Sequence, residues 1–314
     1  MTRRILVTGA DGFVGRHVLA ALHAAGHHVT AGKRSGAGVP QWSPRGVEWR
    51  DLELTDAASV TAFAAHPAEA VLHLAALASG RDARQDPGLA WTVNAAGTAR
   101  LLEALAETRN QTASDPQVVV VSTGEVYGEG RAVPRRETDE TRPVSPYAAS
   151  KLGAEIAALE VHRRTGLRVV IARPFAHTGP GQAPIYVAPA FAERLLEVRR
   201  SGVTRMKVGN LAPIRDFLDV RDVTAAYLAL LERGAAGEVY NIASGLGVPL
   251  QELFDRLADV VGVHPAVEAD PSLLRSADLP HLVGDATKLQ AVTGWLPAIS
   301  FPQTLRDLVD AQAH

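Results

Sequence analysis

The sequence predicts an α/β protein built on a doubly wound parallel sheet, with a smaller α/β domain toward the C-terminus. Two observations predict this fold class. Short β-type runs alternate with longer Ala- and Leu-rich segments of helical period, which is typical of parallel strands joined by crossover helices. The run Val118–Val121 is continuous valine, as expected of a strand that is covered on both faces.

Each element is predicted from its local pattern. The strands are short apolar and β-branched runs, and the helices carry apolar residues three and four positions apart. In chain order, strands are predicted over residues 5–7, 28–31, 70–74, 118–121, 169–172, 205–208 and 239–241. Helices are predicted over residues 12–25, 92–108, 147–165, 190–200, 220–232 and 250–261.

The regular alternation of predicted strands and helices is interrupted after Arg173, which indicates where the first domain ends. Proline and glycine crowd the next residues, and they do not continue regular elements. We therefore expect a first domain over residues 1–173 and a second domain mainly over residues 174–314. Segments near 214–245 are expected to return to the first sheet.

Composition narrows the function classes. The 314 residues are 46% apolar with a formal net charge of -2, so the chain can bury a core and has no basic field for nucleic acid or an anionic membrane. The absence of cysteine excludes disulfides and thiolate chemistry, and the scattered histidines predict no metal site. No run resembles a signal peptide or a membrane span, so a cytoplasmic protein is expected.

A dinucleotide site is predicted directly after the first strand. Gly9, Gly12 and Gly15 have the spacing G-x-x-G-x-x-G and open the first helix. Small residues here allow a tight turn and let backbone N–H groups approach a pyrophosphate at the positive end of the helix. We include Phe13 and Val14, which lie within the motif, among the predicted cofactor contacts and interpret residues 1–173 as the dinucleotide-binding domain.

The end of the second strand indicates which dinucleotide binds. An acidic residue usually stands there in NAD-specific sites, where it binds the ribose hydroxyls. This chain has Lys33 and Arg34 instead, which could bind the 2′-phosphate of NADP through charge-assisted hydrogen bonds. NADP(H) is therefore favoured, with NAD(H) as the alternative if the two cations are only solvated loop residues.

A catalytic pair is predicted on one helix. Tyr147 and Lys151 are four residues apart and therefore share a helix face. This spacing would let the lysine ammonium lower the phenol pKa and contact the nicotinamide ribose while the tyrosine faces the substrate. The hydroxyls of Ser122 and Thr123 follow the valine strand, at the sheet edge where open α/β folds bind ligands.

Several stretches, in the same order, resemble the extended short-chain dehydrogenase/reductase (NAD-dependent epimerase/dehydratase) family. Within it, the chain is most similar to nucleotide-sugar reductases and dehydratases, including the GDP-4-keto-6-deoxy-D-mannose reductases. The stretches are V-N-A-A-G-T from Val93, S-P-Y from Ser145, R-P-F-A-H-T-G-P-G-Q from Arg173, V-G-N-L from Val208, R-D-F from Arg215 and R-S-A-D-L-P from Arg275. The resemblance covers essentially the whole chain.

The resemblance implies roles for individual residues. Thr123 would hydrogen-bond the reacting oxygen of the sugar, Tyr147 would donate the proton, and Lys151 would bind the ribose. The implied cofactor contacts beyond the glycine motif and the two cations are Asp51, Leu52, Leu74, Ala75, Ala76, Asn94, Tyr147, Lys151, Pro174 and His177. The implied substrate contacts are Arg215 and Arg275 on the diphosphate, Asp278 on the nucleoside ribose, and Thr123 and Glu125 on the sugar.

The residue after Thr123 bears on the reaction. Dehydratases of this family resemble T-D-E or T-S-E at this point, whereas Gly124 has no group to offer a leaving hydroxyl. The sequence therefore predicts NAD(P)H-dependent reduction of the 4-keto group of a nucleotide-diphosphate 4-keto-6-deoxyhexose. Ala176 stands where relatives usually carry an asparagine that contacts the substrate, so GDP and dTDP both stay open as the nucleotide.

Other functions stay open at this point. A nucleotide-sugar 4-epimerase or 4,6-dehydratase is the enzymatic alternative, and a non-catalytic NAD(P)-binding protein of the same fold is the other. The resemblance also implies a homodimer through the helices near 92–108 and 147–165. No nucleic-acid or membrane partner is expected.

Overall fold

The computed structural model of the chain describes residues 2–112, 114–270 and 279–313. Its strands are β1 Arg4–Thr8, β2 His28–Lys33, β3 Glu48–Asp51, β4 Ala70–His73, β5 Gln117–Val121, β6 Arg168–Pro174, β7 Ala176–Thr178, β8 Arg205–Val208, β9 Ile214–Asp219, β10 Val239–Ile242, β11 Gly247–Pro249, β12 Ala266–Ala269 and β13 His281–Leu282. Its α-helices are α1 Phe13–Ala24, α2 Ala57–Ala64, α3 Gly80–Gln85, α4 Pro87–Trp91, α5 Gly97–Gln111, α6 Pro146–Thr165, α7 Val187–Ser201, α8 Val220–Arg233, α9 Leu250–Val261, α10 Thr287–Thr293 and α11 Phe301–Ala313.

The main sheet has seven strands in the order β10-β6-β5-β4-β1-β2-β3, and neighbouring strands are parallel. The strand order reverses between β1 and β4. Open sheets of this kind bind ligands in the crevice outside the carboxyl ends of the strands at such a switch point. The predicted doubly wound fold, a Rossmann-type sheet, is confirmed.

Helices cover both faces of this sheet, and the side chains of single strands alternate between two cores. Val119 of β5 packs into the core that includes residues of α1 and α8, whereas Val118 and Val120 pack into the core that includes residues of α2, α5 and α6. All three valines are fully buried. The continuous valine run is therefore explained by burial on both faces, because each alternate side chain meets a different helical layer.

The later part of the chain forms a smaller α/β unit. Strand β9 pairs with β7, β11 and β13, and β8 pairs with β12. Helices α7, α9 and α11 bury a separate apolar cluster against these strands. Of the segments near 214–245, α8 packs on β4, β5 and β6, and β10 extends the first sheet, whereas β9 belongs to the smaller sheet. The domain boundary at residue 173 stays a prediction.

One predicted helix begins differently from the expectation. Residues Thr92–Ala96 form a π-helical turn, and the regular helix α5 starts at Gly97. Such turns occur often at functional sites, and this one holds the buried Asn94. In the part of the chain that the structure describes, no helix is both long and apolar enough to cross a lipid bilayer.

Candidate active site

The glycine turn between β1 and α1 forms a cradle that side chains would fill. Gly9 has a φ of +62°, and a Cβ there would lie 2.7 Å from the backbone nitrogen of Ala75. A Cβ on Gly15 would lie 2.4 Å from the carbonyl oxygen of Ala10. Gly9 therefore allows the close approach of the loop that follows β4, and Gly15 allows α1 to pack against the turn.

The N-terminus of α1 is suited to a pyrophosphate. Gly12 is the N-cap residue, and no side chain among the described residues caps this helix end. Among the described residues, a Cβ on Gly12 would contact only the carbonyl oxygen of Gly9, at 3.3 Å, so these residues leave the space in front of the helix clear. Uncapped backbone N–H groups and the positive end of the helix dipole favour an anion here, so the turn fits a dinucleotide.

The residues predicted to choose the cofactor lie at the ends of β2 and β3. Lys33 forms an ion pair with Asp51, its register partner on β3, and the Lys33 side chain is only 13% exposed. Arg34 is exposed in the loop that follows, and Leu52 is buried. Part of the predicted positive charge is thus neutralised by Asp51, and Arg34 is the more accessible cation.

The three predicted catalytic residues come together at the carboxyl edge of the sheet. Thr123 follows β5 and caps a short 3₁₀ turn, Gly124–Tyr127, by accepting a hydrogen bond from the Glu125 backbone N–H at 3.2 Å. The side chain of Tyr147, in the first turn of α6, lies beside the Thr123 hydroxyl, which acts to lower the pKa of the phenol. Lys151 lies one turn along the same helix and is 3% exposed.

Burial is the largest influence on the pKa values of Tyr147 and Lys151. Burial raises the pKa of Tyr147 above its ordinary value, and the negative charge of Glu125 raises it further. Burial lowers the pKa of Lys151 to about 8, and the carboxylate of Glu155 opposes this change. The expected lowering of the phenol pKa by Lys151 is therefore not seen, because the influences that dominate are burial and the charge of Glu125, and both raise this pKa. A phenol that keeps its proton is suited to act as a proton donor.

Asn94 links the loop after β4 to the catalytic helix. Its side-chain oxygen, Oδ1, accepts a hydrogen bond from the Leu77 N–H at 2.7 Å, and its side-chain nitrogen, Nδ2, donates to the Ser150 hydroxyl at 2.9 Å. Ser150 in turn donates to the Tyr147 carbonyl at 2.8 Å. Asn94 thus fixes the first turn of α6, and the direct cofactor contact expected of it stays a prediction.

Other predicted cofactor residues lie near the glycine turn. Leu74, Ala75 and Ala76 directly follow β4, and the Ala75 N–H donates to the Thr8 hydroxyl beside the glycine turn at 3.1 Å. Phe13 and His177 stack with a centroid distance of 6.4 Å and an interplanar angle of 7°. This stack connects the start of α1 to β7.

Val14 packs against the core beside α1, and Pro174 is buried at the end of β6. Burial lowers the pKa of His177, so its imidazole is neutral near pH 7. The cofactor contacts of these residues stay predictions.

The predicted substrate contacts are placed in part. Glu125 lies in the 3₁₀ turn near Tyr147, and Arg215 in β9 donates to the carbonyl oxygens of Ile214 and Leu279 at 2.9 and 2.6 Å. Arg275 and Asp278 lie outside the described residues. The predicted diphosphate clamp between Arg215 and Arg275 therefore stays a prediction.

A buried network beneath the catalytic residues was not predicted. His73 in β4 accepts a hydrogen bond from Thr8 at 2.7 Å through Nδ1 and donates to Thr98 at 2.9 Å through Nε2. The directions of these two hydrogen bonds follow from the other partners of the threonines. The Thr98 hydroxyl donates its proton to the backbone carbonyl of Asn94 and therefore accepts from His73, and the Thr8 hydroxyl accepts from the Ala75 N–H and donates to His73.

A second set of side chains continues this layer across the sheet, and of these only the Ser122 hydroxyl was predicted to lie at the sheet edge. The set consists of Ser122, Tyr127, Glu155, Arg173 and Asn241. One signal was available in the sequence, because Glu155 stands four residues after Lys151 on the same face of the predicted helix.

Hydroxyl groups that can donate protons beside a dinucleotide cradle define a class, the nicotinamide-dependent enzymes of the short-chain dehydrogenase/reductase type. The chain belongs to the NAD dependent epimerase/dehydratase family, whose model matches residues 5–243. It is 36% identical to the GDP-6-deoxy-D-mannose reductase of Pseudomonas aeruginosa, over 98% of this chain and 97% of that protein.

Two solved structures share the architecture over nearly the whole chain. The RMD protein of Pseudomonas aeruginosa, solved in complex with NADPH, superposes with a TM-score of 0.84 at 33% identity, over 99% of each chain. The UDP-glucose 4-epimerase of Thermus thermophilus, solved with NAD, superposes with a TM-score of 0.87 at 33% identity, also over 99% of each chain. The family is thus established, and its members differ in the reaction named for them.

Proposed function

We propose that the chain reduces the 4-keto group of a nucleotide-diphosphate 4-keto-6-deoxyhexose, with NADPH as the preferred reductant. The observation that carries this proposal is that the hydroxyls of Thr123 and Tyr147 lie next to each other at the edge of the sheet, beside the cradle of the glycine turn. Two hydroxyl donors converge where the oxygen of a bound ketone would carry negative charge during reduction.

The proposed mechanism assigns one task to each residue. When bound, the reduced nicotinamide supplies a hydride to the keto carbon. Tyr147 donates its proton to the oxygen that becomes negative, so the carbonyl becomes an alcohol. Thr123 donates a hydrogen bond to the same oxygen. The positive charge of Lys151 would favour the negative charge left on Tyr147, and its ammonium would hold the nicotinamide ribose.

The limited space around Gly124 argues against the 4,6-dehydratase alternative. A Cβ on this residue would lie 3.1 Å from three ring atoms of Phe175, which is buried. An acidic or hydroxyl side chain at position 124, as dehydratases of the family have, would need Phe175 to move. Glu125 is left to orient the sugar, without a proton-transfer role.

An assay of cofactor oxidation tests the proposal. Purified protein is incubated with NADPH or NADH and with GDP- or dTDP-linked 4-keto-6-deoxyhexoses, and the products are separated by chromatography. We expect one equivalent of reduced sugar for each NADPH oxidised. The similarity to the Pseudomonas aeruginosa reductase favours the GDP-linked substrate.

The 4-epimerase is the second candidate, favoured by the similarity to the Thermus thermophilus epimerase. Interconversion of 4-epimers without net oxidation of cofactor would identify it and refute the reductase. The non-catalytic alternative predicts neither product. It is disfavoured because Thr123, Tyr147 and Lys151 are all present and lie together.

We also propose a homodimer that uses the outer surface of α6, one of the two helices expected from the sequence, together with α4, which directly precedes the other expected helix near 92–108. Ile156 on α6 is 63% exposed, and Leu89 and Trp91 on α4 are 42% and 47% exposed, so this face presents large apolar side chains to solvent. Light scattering of wild type and of Ile156→Glu tests this. We expect a dimer that dissociates in the variant, whereas Leu296→Glu, a change at an equally exposed residue elsewhere, should leave it intact.

A further inference from the structure

An ion pair is buried directly beneath the catalytic residues. Arg173 of β6 donates through Nε and Nη2 to the two carboxylate oxygens of Glu155, at 2.9 and 2.7 Å, and the side chains are only 6% and 3% exposed. This is the bidentate geometry in which a guanidinium binds a carboxylate most strongly. Burying two charges costs desolvation energy that well-packed apolar residues would avoid, so the pair suggests a role beyond stability.

The pair joins the catalytic elements to each other. Glu155 lies one turn after Lys151 on α6 and accepts a hydrogen bond from Ser122, the neighbour of Thr123. The remaining guanidinium nitrogen of Arg173 donates to the Tyr127 hydroxyl at 2.9 Å, and the guanidinium carbon lies 4.9 Å from the centroid of the Tyr127 ring. Tyr127 closes the 3₁₀ turn that Thr123 begins.

We propose that Glu155 and Arg173 are positioning residues of the active site: Glu155 supplies the negative charge that keeps the buried Lys151 amine protonated, and Arg173 limits that charge and fixes the carboxylate. The inference rests on the proposed function only in giving the protonated lysine a catalytic task. The geometry of the pair does not depend on which reaction the enzyme performs.

The charges around Lys151 support this assignment. On its own helix it has Tyr147 on one side and Glu155 on the other. From β4 it faces His73, which is neutral because burial, with Lys151 itself, lowers the pKa of that histidine to about 3. Arg173 of β6 approaches through its ion pair with Glu155. Glu125 of the 3₁₀ turn raises the pKa of Tyr147. Among the described residues, Glu155 is the one whose charge raises the pKa of Lys151 against burial.

The two halves of the pair should act on Lys151 in opposite directions. Glu155→Gln removes the favourable negative charge and leaves the guanidinium, so the pKa of Lys151 should fall by about one unit or more. Arg173→Met leaves the carboxylate without its partner, so the pKa of Lys151 should rise by about one unit. If the Glu155–Arg173 pair only stabilised the fold, the two single variants would not shift the pKa of Lys151 in opposite directions.

The experiment is a carbon-13 NMR titration of lysine ε-methylene groups in the cofactor-free protein. The chain has four lysines, Lys33, Lys151, Lys207 and Lys288, and the Lys151→Arg variant identifies the signal of interest. This readout needs no turnover, so it stays decisive if the enzyme proves inactive on every 4-keto sugar. In active protein, the alkaline limb of kcat should move with the NMR value in each variant.

A double variant keeps the test decisive if a single change prevents folding. Glu155→Gln combined with Arg173→Met removes both charges of the pair together, so neither is left buried without its partner, and the pKa of Lys151 should fall, though by less than in Glu155→Gln alone. Shifts of the same sign in the two single variants, or an unchanged Lys151 in the folded double variant, would overturn the proposal.

Discussion

Lys33 and Asp51 stand opposite each other at the ends of two neighbouring parallel strands, and their side chains form an ion pair. Both residues were predicted to contact the cofactor, but in the structure their opposite charges also neutralise each other. Arg34, exposed in the following loop, is therefore the cation best able to reach a 2′-phosphate.

Arg34→Gln should raise the KM for NADPH by about 10-fold to 100-fold, because a charge-assisted hydrogen bond contributes about 1.5–3 kcal/mol. The KM for NADH should change little. Lys33→Gln should have the smaller effect on NADPH, and Arg45→Gln, a change at another exposed arginine of this loop, serves as the control. Equal losses with both cofactors would contradict a contact to the 2′-phosphate.

Tyr147→Phe removes the proton donor and should lower kcat by about 10²-fold to 10⁴-fold, while the Kd for NADPH stays within a few-fold. Stopped-flow turnover and fluorescence titration of NADPH measure the two effects separately. Tyr186→Phe is the matched control, because the Tyr186 ring also lies within electrostatic reach of Tyr147. Near-normal turnover in the Tyr147 variant would remove the proposed mechanism.

Gly124→Ala should destabilise the protein by about 1–3 kcal/mol, because the added methyl group would press on the Phe175 ring at 3.1 Å. Urea unfolding measures the loss. Combining it with Phe175→Leu, which makes room, should cost less than the sum of the two single changes. Strict additivity would show that the two positions do not compete for the same space.

The neutral state of His73 makes stability depend on pH. Its pKa is lowered to about 3, first by burial, so below about pH 6.5 the unfolded chain takes up a proton that the folded chain refuses. Stability should therefore fall as the pH drops, by about 2 kcal/mol from this group between about pH 6.5 and about pH 5.

Urea unfolding of wild type and His73→Gln at these two pH values tests this sign. The variant is less stable at neutral pH, since two hydrogen bonds are disturbed, but its stability should depend less on pH. His28→Gln, at an exposed histidine, is the control and should keep the wild-type slope. An identical slope in all three proteins would exclude His73 as the titrating group.

Local patterns were sufficient for much of the fold. The strand Arg205–Val208 and the helix Leu250–Val261 have the predicted bounds, because hydrophobic periodicity acts over neighbouring residues. The π-helical turn at Thr92–Ala96 was not predicted, because its sequence resembles that of any helix, and the hydrogen bonds that Asn94 makes to other segments are not visible in a local pattern.

The candidate site was predictable where its residues share a short motif. Tyr147 and Lys151 show their relation in their spacing. The Glu155–Arg173 pair depends instead on how α6 lies across β6, and the Lys33–Asp51 pair on the register of two strands. Such contacts form only after tertiary packing, so a single sequence carries little trace of them.

Strand β10 lies beside β6 although β7, α7, β8, β9 and α8 separate the two strands along the chain. A fragment that stopped after β6 would expose the unpaired backbone edge of that strand and the apolar surface that α8 covers. Exposed edges of this kind recruit other chains and aggregate. Chimaeras that exchange the substrate-facing half between relatives should therefore keep α8 and β10 with their own sheet, and cleavage between the halves would not release a stable cofactor-binding fragment.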